Sequence, residues 1–406
     1  MQNTPKSLRL QIAILGRTNA GKSTLLNFIT KQDVAIVSEI AGTTTDIVEK
    51  PMELLPFGPV LFIDSAGFAD ESILGEKRMD KTIKLFDRAD VVLLTIRNDA
   101  WSEAEELILS QAKSHNQGVI PIINKDATCD ISAEFIAEIN EKIGVKPIVV
   151  NLNDLNEREN FLTALKDRLF AVIPEEFIKT PDLLGDFVKQ GDVVLMLIPI
   201  DIQAPKGRLI MPQVQALRAC LDLGAIPIMC KESEFVQTLA MLPKNPDLVI
   251  CDSQMVDFMV KNTPNEVKCT TFSILFSRLK ADMKIMAQGA LSLSKLQDGD
   301  KILIAESCSH HPTHDDIGRV KIPMLIKKKT GKNLIFEFFA GSDFPQNLKE
   351  YKLVIQCGSC MLNRRETLSR VQKAVDAGVP ITNYGMVISA CQGVFDRVME
   401  IFLSAN

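Results

Sequence analysis

Eight consecutive residues near the start of the chain have the composition and spacing of a phosphate-binding loop. They read Gly-Arg-Thr-Asn-Ala-Gly-Lys-Ser, residues 16–23, which fits the pattern G-x-x-x-x-G-K-S. The glycines let backbone N–H groups close around phosphate oxygens, while Lys22 supplies a positive charge and the Ser23 hydroxyl suits Mg²⁺. The pattern therefore predicts a bound nucleoside triphosphate, in contact with Gly16, Asn19, Gly21, Lys22, Ser23 and Thr24.

Three shorter motifs follow this loop in the order in which GTPases carry them. Thr44 occupies the place of a switch threonine that completes the Mg²⁺ shell, and Asp64 and Gly67 form a D-x-x-G motif. The aspartate of that motif can hold Mg²⁺ through water, and the glycine N–H can sense the γ-phosphate. Asn124 and Lys125 begin a guanine-reading motif. We therefore expect catalytic roles for Lys22, Thr44, Asp64 and Gly67, Mg²⁺ ligation by Ser23 and Thr44, and nucleotide contacts from Asn124 and Lys125.

Two positions depart from the usual GTPase pattern. The guanine motif normally ends in an aspartate, but Ala127 stands in its place and Asp126 comes one residue early. Without a correctly placed carboxylate, discrimination against other purines should be poor. Phe68 occupies the position of the glutamine that orients water in Ras-like proteins. Intrinsic hydrolysis should therefore be slow unless another group supplies the stabilisation.

Cysteine and histidine residues suggest a second site in the last third of the chain. Cys308 and His310 follow an apolar run at residues 301–305, and Cys357 and Cys360 follow another at residues 352–355. If both runs are strands of one parallel sheet, their ends lie at the edge where such sheets bind ligands. Three converging thiolates suit an iron–sulfur cluster. A zinc site that includes His310 and a redox-active cysteine pair remain alternative chemistries.

The order of strand-like and helix-like segments around these residues predicts an α/β fold. Apolar runs alternate with helical patterns along most of the 406 residues, which indicates parallel sheets covered by helices. We expect an N-terminal P-loop GTPase domain at residues 8–172, followed by two smaller α/β domains with parallel sheets. The first of these, residues 180–270, would be a dimerisation and scaffold domain. The second, residues 271–406, would bind the iron–sulfur cluster.

Composition narrows the classes of function. The net charge of −5 argues against a dedicated nucleic-acid or membrane surface. No apolar stretch of about 18 residues occurs, and the first residues lack the apolar segment of a signal peptide. A cytoplasmic location is therefore expected. In that compartment the nine cysteines should not form a disulfide framework, and Cys220, Cys230, Cys251 and Cys269 are predicted to be core residues.

The four nucleotide motifs together resemble the TrmE/Era branch of GTPases. That branch carries G-R-x-N-x-G-K-S followed by G-T-T-x-D, as this chain does at residues 16–23 and 42–46. The resemblance implies that hydrolysis of GTP to GDP depends on Mg²⁺ and is stimulated by K⁺. Asn19 matches the loop asparagine that helps to bind potassium in K⁺-dependent members of the branch.

A wider resemblance covers the whole chain. A TrmE-like GTPase followed by C-x-H and a distant C-x-x-C resembles the HydF family of [FeFe]-hydrogenase maturation GTPases. This implies a [4Fe–4S] cluster on Cys308, Cys357 and Cys360, with an exchangeable fourth position. Gln356 replaces the histidine that usually precedes C-x-x-C, so the fourth ligand is left open among His310, Glu306, Asp315, Asp316 and water.

The resemblance to the HydF family also implies a role and partners. The chain would form a homodimer and carry the precursor of the di-iron subcluster on or beside its cluster. Its partners would be radical-SAM hydrogenase maturases and apo-[FeFe]-hydrogenase, and it would deliver the precursor to the latter. Two other classes remain: a TrmE/Era-like GTPase that acts on RNA or the ribosome with a structural zinc site, and a scaffold that binds nucleotide without useful turnover.

Overall fold

The computed structural model describes residues 4–31, 47–64, 84–98, 100–173, 183–200, 209–307, 316–341 and 343–403. The chain forms two compact units, Met1–Thr180 and Pro181–Asn406. Among the expected site residues, Thr44, Gly67, Cys308, His310 and Asp315 lie outside the described residues.

The first unit is built on a six-stranded sheet. Its strands are β1 (Leu10–Leu15), β2 (Val48–Leu54), β3 (Gly58–Asp64), β4 (Val91–Arg97), β5 (Gly118–Asn124) and β6 (Ile148–Val150). Their spatial order is β2-β3-β1-β4-β5-β6, and β2 pairs antiparallel with β3 while the other neighbours are parallel. The helices are α1 (Lys22–Thr30), α2 (Glu103–Ser114), α3 (Ala133–Ile143) and α4 (Arg158–Val172).

Strand β1 shows why this unit needs helices on both faces of its sheet. All six residues of β1 are buried. Ile12 and Ile14 belong to one hydrophobic cluster, and Ala13 and Leu15 belong to a second cluster. Because successive side chains of a strand point to opposite faces, the two clusters cover the two faces of the sheet. The loop after β1 is thereby fixed at the carboxyl edge of the sheet.

The second unit contains two four-stranded parallel sheets. The first comprises β7 (Val193–Leu197), β8 (Ile226–Cys230), β9 (Leu248–Cys251) and β10 (Lys268–Thr271), in the order β10-β9-β7-β8. The second comprises β11 (Lys301–Ala305), β12 (Ile335–Phe339), β13 (Leu353–Gln356) and β14 (Ile381–Asn383), in the order β12-β11-β13-β14. These parallel sheets confirm the α/β fold class expected from the sequence.

The two sheets of the second unit share a core. One hydrophobic cluster contains Leu195 and Val249 from the first sheet together with Ile302 and Ile355 from the second. The separation of this unit at residue 271 into a dimerisation domain and a cluster-binding domain remains a prediction. Its helices are α5 (Met211–Asp222), α6 (Phe235–Met241), α7 (Val256–Asn262), α8 (Phe272–Lys280), α9 (Met283–Leu291), α10 (Ile322–Thr330), α11 (Arg364–Asp376), α12 (Tyr384–Gln392) and α13 (Phe395–Leu403).

Within the described ranges, none of the helices is both long enough and apolar enough to cross a membrane.

Candidate functional site

The phosphate loop joins β1 to α1, and its two glycines occupy positions that exclude a side chain. Gly21 has φ of +99°, in the left-handed region, and a Cβ there would lie 2.4 Å from Asn124 Nδ2. A Cβ on Gly16 would lie 2.4 Å from the carbonyl oxygen of Thr95. These close approaches hold the loop against β4 and β5, so its backbone N–H groups can face a phosphate.

Lys22 lies inside this loop. Its side chain is 7% exposed, and Nζ donates a hydrogen bond of 2.8 Å to the carbonyl oxygen of Arg17. Burial lowers the pKa of Lys22 to about 8, and the charges of Asp64 and Glu105 oppose that shift. The ammonium is therefore held at the loop and desolvated, which strengthens its attraction for phosphate oxygens.

Glu105 is a residue of this site that the sequence reasoning missed. It lies on α2, is fully buried, and accepts the Ser102 N–H at 2.9 Å in a capping box. Its other oxygen lies 3.8 Å from Nε of Arg17, the second residue of the phosphate loop. The S-x-x-E spacing was a visible signal for a helix start. Only the fold shows that this cap also places a negative charge near Lys22.

Ser23 and Asp64 meet at the predicted Mg²⁺ position. The Ser23 hydroxyl donates a 2.6 Å hydrogen bond to Asp64 Oδ2. Asp64 is the last residue of β3, fully buried, and pairs in register with Ile14 of β1. A carboxylate and a hydroxyl are oxygen ligands of the kind that Mg²⁺ prefers, so the donor set fits this ion. The contribution of Thr44 stays a prediction.

Asn124 connects the base-reading segment to the phosphate loop. Its Nδ2 donates to the carbonyl oxygen of Ala20 at 3.3 Å, and its Oδ1 accepts from Leu152 N at 3.5 Å. The Lys125 N–H donates to the carbonyl oxygen of Val150 at 3.0 Å. The expected nucleotide residues Asn124 and Lys125 thus lie at the carboxyl end of β5, next to the end of β6 and beside the loop that follows β1.

Asp126 makes its side-chain contacts with residues at the end of β4. Its carboxylate accepts a 2.9 Å hydrogen bond from Asn98 Nδ2, and its N–H donates a 2.9 Å bond to Asn98 Oδ1. Arg97 lies 3.7 Å from the same carboxylate oxygen. Asn98 itself has φ of +51°, a left-handed conformation that asparagine tolerates. Asp126 therefore links the residues that follow β4 and β5.

Cys357 lies directly after β13, at the carboxyl edge of the second sheet of unit 2. Its N–H donates to the carbonyl oxygen of Ala305, the last residue of β11, at 3.0 Å. Its Sγ accepts from the Ser307 N–H at 3.1 Å and lies 2.9 Å from the Ser307 hydroxyl. Ser307 immediately precedes Cys308 in the chain. The structure thus places the segment leading to Cys308 against Cys357.

Cys360 closes the same loop before α11. Burial raises the pKa of its thiol, as does the nearby Cys357, whereas Lys280 and the backbone N–H groups of Cys360 and Met361 lower it. Ser359 has φ of +52°, so the loop turns sharply between the two cysteines. A nearby cation and N–H donors are the surroundings that favour a thiolate ligand.

The surroundings of this loop bear on the remaining ligand positions. Among the described residues, no group of three or more histidine, cysteine or acidic side chains forms a metal site. Glu306 accepts two hydrogen bonds from the Arg319 guanidinium, at 2.9 and 3.1 Å, and Asp316 accepts from the Arg319 N–H at 2.7 Å. Gln356 is 2% exposed, and its Oε1 has no hydrogen-bond donor in the described part of the chain. The two thiols suit a thiolate-bound metal, and Cys308 and His310 remain predicted partners.

Three family models match successive segments of the chain. A model of the Hydrogen maturase F dimerization domain matches residues 183–281, and a model of the Hydrogen maturase F tetramerization domain matches residues 284–401. A model described as a 50S ribosome-binding GTPase matches residues 11–125. The N-terminal unit is therefore a GTPase domain, as the motifs predicted.

Individual relatives are similar over the N-terminal region. The tRNA modification GTPase MnmE of Trichodesmium erythraeum is 38% identical over 144 residues, which is 34% of this chain and 30% of that protein. The GTPase Der of Kosmotoga olearia is 31% identical over 196 residues, or 45% of this chain and 43% of that protein. The chain therefore spans less than half of these relatives.

Era of Aquifex aeolicus, bound to GDP·AlF₄⁻, is 22% identical, with a TM-score of 0.35, and the match covers 54% of this chain and 92% of that one. The two hydrogen maturase F models together match more than half of the chain, in the expected order after a GTPase domain. The chain therefore belongs to the hydrogen maturase F (HydF) family.

Proposed function

We propose that this chain is a hydrogenase maturation GTPase that also binds a [4Fe–4S] cluster. The observation that carries the proposal is the position of the Cys357–Cys360 loop. Cys357 contacts Ser307, the residue before Cys308, although about fifty residues separate the two in sequence. This contact supports the convergence of Cys308, Cys357 and Cys360 at one edge of a parallel sheet. When bound, the cluster would supply a coordination site for the di-iron precursor.

The nucleotide site would hydrolyse GTP to GDP with water. Lys22 would neutralise phosphate charge, and Ser23 and Thr44 would ligate Mg²⁺, with Asp64 acting through water. Gly67 would sense the γ-phosphate, so the segments around Thr44 and Gly67 would change order between the two nucleotide states. Asn19 would contribute to a K⁺ site that speeds hydrolysis. The desolvated Lys22 and the Ser23–Asp64 contact support these assignments.

Hydrolysis would control association with other proteins and would not drive cluster chemistry directly. The partners implied by the family are radical-SAM maturases, which would supply the precursor, and apo-[FeFe]-hydrogenase, which would accept it. The matches to dimerization and tetramerization domains support a homo-oligomer. We place the protein in the cytoplasm, and nucleic acid is not among its proposed partners.

Iron and sulfide analysis of anaerobically reconstituted protein tests the proposal. We expect about four irons per chain and an electron paramagnetic resonance signal after reduction. Cys357→Ala should lose both. Cys391→Ala is the matched control, because Cys391 is a half-buried cysteine on α12 of the same unit. Zinc in place of iron, or equal iron in both variants, would contradict the cluster assignment.

A nucleotide-site variant tests whether the two sites are separate. Lys22→Ala should keep the iron content of the wild type and lose binding of fluorescently labelled GDP. Loss of iron in this variant would argue against a cluster held independently of the nucleotide. The zinc outcome above would instead favour a TrmE/Era-like GTPase with a structural metal site.

A further inference from the structure

Lys280 is a buried lysine at the end of α8 that contacts the cysteine loop. Lys280 is 4% exposed, and its Nζ donates hydrogen bonds to the carbonyl oxygens of Ser359 at 2.5 Å and Leu362 at 2.7 Å. These two carbonyls lie on either side of Cys360. A single ammonium therefore joins the middle of the Cys-x-x-Cys loop to the residue just before the cap of α11.

The charge on Lys280 has no carboxylate partner within the described residues. The two carbonyl oxygens accept hydrogen bonds from Nζ, which also lies 5.2 Å from the centroid of the Phe276 ring, but neither contact supplies a negatively charged counter-ion. Glu366 also acts electrostatically on Lys280, but its carboxylate lies 3.7 Å from the guanidinium of Arg370, four residues later on α11. Cys360 and Cys357 are the strongest negative influences on Lys280. Because a buried charge is costly unless it is paired, thiolates at Cys357 and Cys360 would be favourable counter-ions for this ammonium.

The contact between α8 and the loop is held from both sides. Arg364, the first residue of α11, donates a 2.7 Å hydrogen bond from Nε back to the carbonyl oxygen of Leu279. Asn383, at the end of β14, donates to the Ser273 carbonyl at 3.5 Å and also contacts the Ser277 hydroxyl. These bonds fix the end of α8 against the cysteine-bearing sheet, so Lys280 has little freedom to leave the loop.

We propose that Lys280 is the positioning residue of the metal-binding loop, holding its backbone and balancing the negative charge of its thiolates. The proposal rests on the function proposed above, since the charge balance concerns thiolates that bind metal. Lys280 belongs to the segment matched by the dimerization model, residues 183–281. The cysteine loop belongs to the segment matched by the tetramerization model, residues 284–401. Helix α8 thereby links the two segments at the cluster site.

Two physical consequences follow from this role. Removal of the hydrogen bonds should loosen the loop and weaken metal binding, because groups that orient metal ligands typically contribute about 10- to 100-fold in affinity. Removal of the charge should disfavour the reduced cluster, which carries one more negative charge. These effects are separable, because glutamine keeps N–H donors and loses the charge, whereas methionine loses both.

The test uses the full chain in four forms besides the wild type. Lys280→Met removes charge and donors, Lys280→Gln removes the charge alone, and Lys280→Arg retains both. Lys284→Met is the matched control, since Lys284 is an exposed lysine on the next helix, α9. Folding is checked by circular dichroism and thermal melting. Metal-free protein is then titrated with Co²⁺ under anaerobic conditions, and thiolate-to-cobalt absorption gives the affinity.

We expect Lys280→Met to bind Co²⁺ at least about tenfold more weakly than the wild type, with Lys280→Gln in between. After reconstitution with iron and sulfide, both variants should show a lower reduction potential in titrations followed by electron paramagnetic resonance. A tenfold change in the one-electron equilibrium corresponds to about 59 mV. Lys280→Arg should lie closer to the wild type than either variant, and Lys284→Met should match the wild type.

Several results would overturn the proposal. Wild-type cobalt affinity and reduction potential in Lys280→Met would show that Lys280 does not act on the site. If Lys280→Met does not fold, Lys280→Gln decides, and an unchanged potential in that variant excludes the role of the charge. Failure of Lys280→Gln to fold would make Lys280 a residue of the core. If the wild type and Lys284→Met bind neither Co²⁺ nor iron through thiolates, it is the proposed function that fails.

Discussion

Substitution of Gly21 by alanine should disrupt nucleotide binding through two separate effects. The first is conformational, because φ of +99° at this position is disfavoured for any residue with a Cβ. The second is steric, because the new Cβ would lie 2.4 Å from Asn124 Nδ2. The Asn124 side chain would have to move, and it would give up its contacts with Ala20 and Leu152.

The size of the effect can be estimated from these contacts. The left-handed conformation costs alanine about 1–2 kcal/mol. The two hydrogen bonds of Asn124 are long, at 3.3 and 3.5 Å, so we assign each the lower limit of about 0.5 kcal/mol. If the loop relaxes in the nucleotide-free variant, nucleotide binding must restore its shape at a total cost of about 2–3 kcal/mol. This cost lowers the affinity roughly 30- to 150-fold.

The assay is a fluorescence titration with labelled GDP and Mg²⁺, with Gly58→Ala as the matched control. Gly58 starts β3 in the same unit and has φ of +80°, but its added Cβ would meet only Glu53 Oε1, at 3.8 Å. Gly58→Ala should therefore lose stability, by about 1–2 kcal/mol, and keep nucleotide affinity. Affinity of Gly21→Ala within about threefold of the wild type would refute the reasoning.

Two further predictions concern the same nucleotide site. Affinity for GDP should be constant below pH 8 and fall above it by up to about tenfold per pH unit, because the pKa of Lys22 is about 8 in the free protein and phosphate binds the charged form. A titration that stays flat well above pH 8 would contradict this. Asp126→Ala should leave the ratio of GTP to ITP affinity unchanged, because Asn98 already holds that carboxylate. A marked loss of guanine preference in competition binding would instead make Asp126 a base-reading residue.

Local patterns predicted much of the fold, and the reason is visible in individual elements. The apolar run expected at residues 301–305 is β11 with the same bounds, and the run expected at residues 352–355 overlaps β13. Both signals are contiguous, since a strand that is buried on both faces is largely apolar along its length, and four of the five residues of β11 and all four residues of β13 are buried. The cysteine predictions for the core also hold for Cys220, Cys251 and Cys269, whereas Cys230 on the edge strand β8 is only half-buried.

Side chains that act through distant partners could not be predicted in this way. Glu105 was visible as part of a helix cap, but its position beside Arg17 depends on how α2 packs. Lys280 gave no signal at all, because a lysine at the end of an amphipathic helix is normally exposed. Its hydrogen bonds reach residues 79 and 82 positions further along the chain.

The sequence by itself determined the nucleotide-binding chemistry of the first domain, because phosphate binding depends on a few residue types at short, fixed spacing. For the second site it predicted thiolate ligation from the C-x-x-C spacing. The family followed from the order of those motifs along the chain. Only the tertiary structure decided which charges surround them. It buried Lys22 near Asp64 and Glu105, and it placed Lys280 beside Cys357 and Cys360. Burial and proximity are properties of packed elements, and no local pattern encodes them.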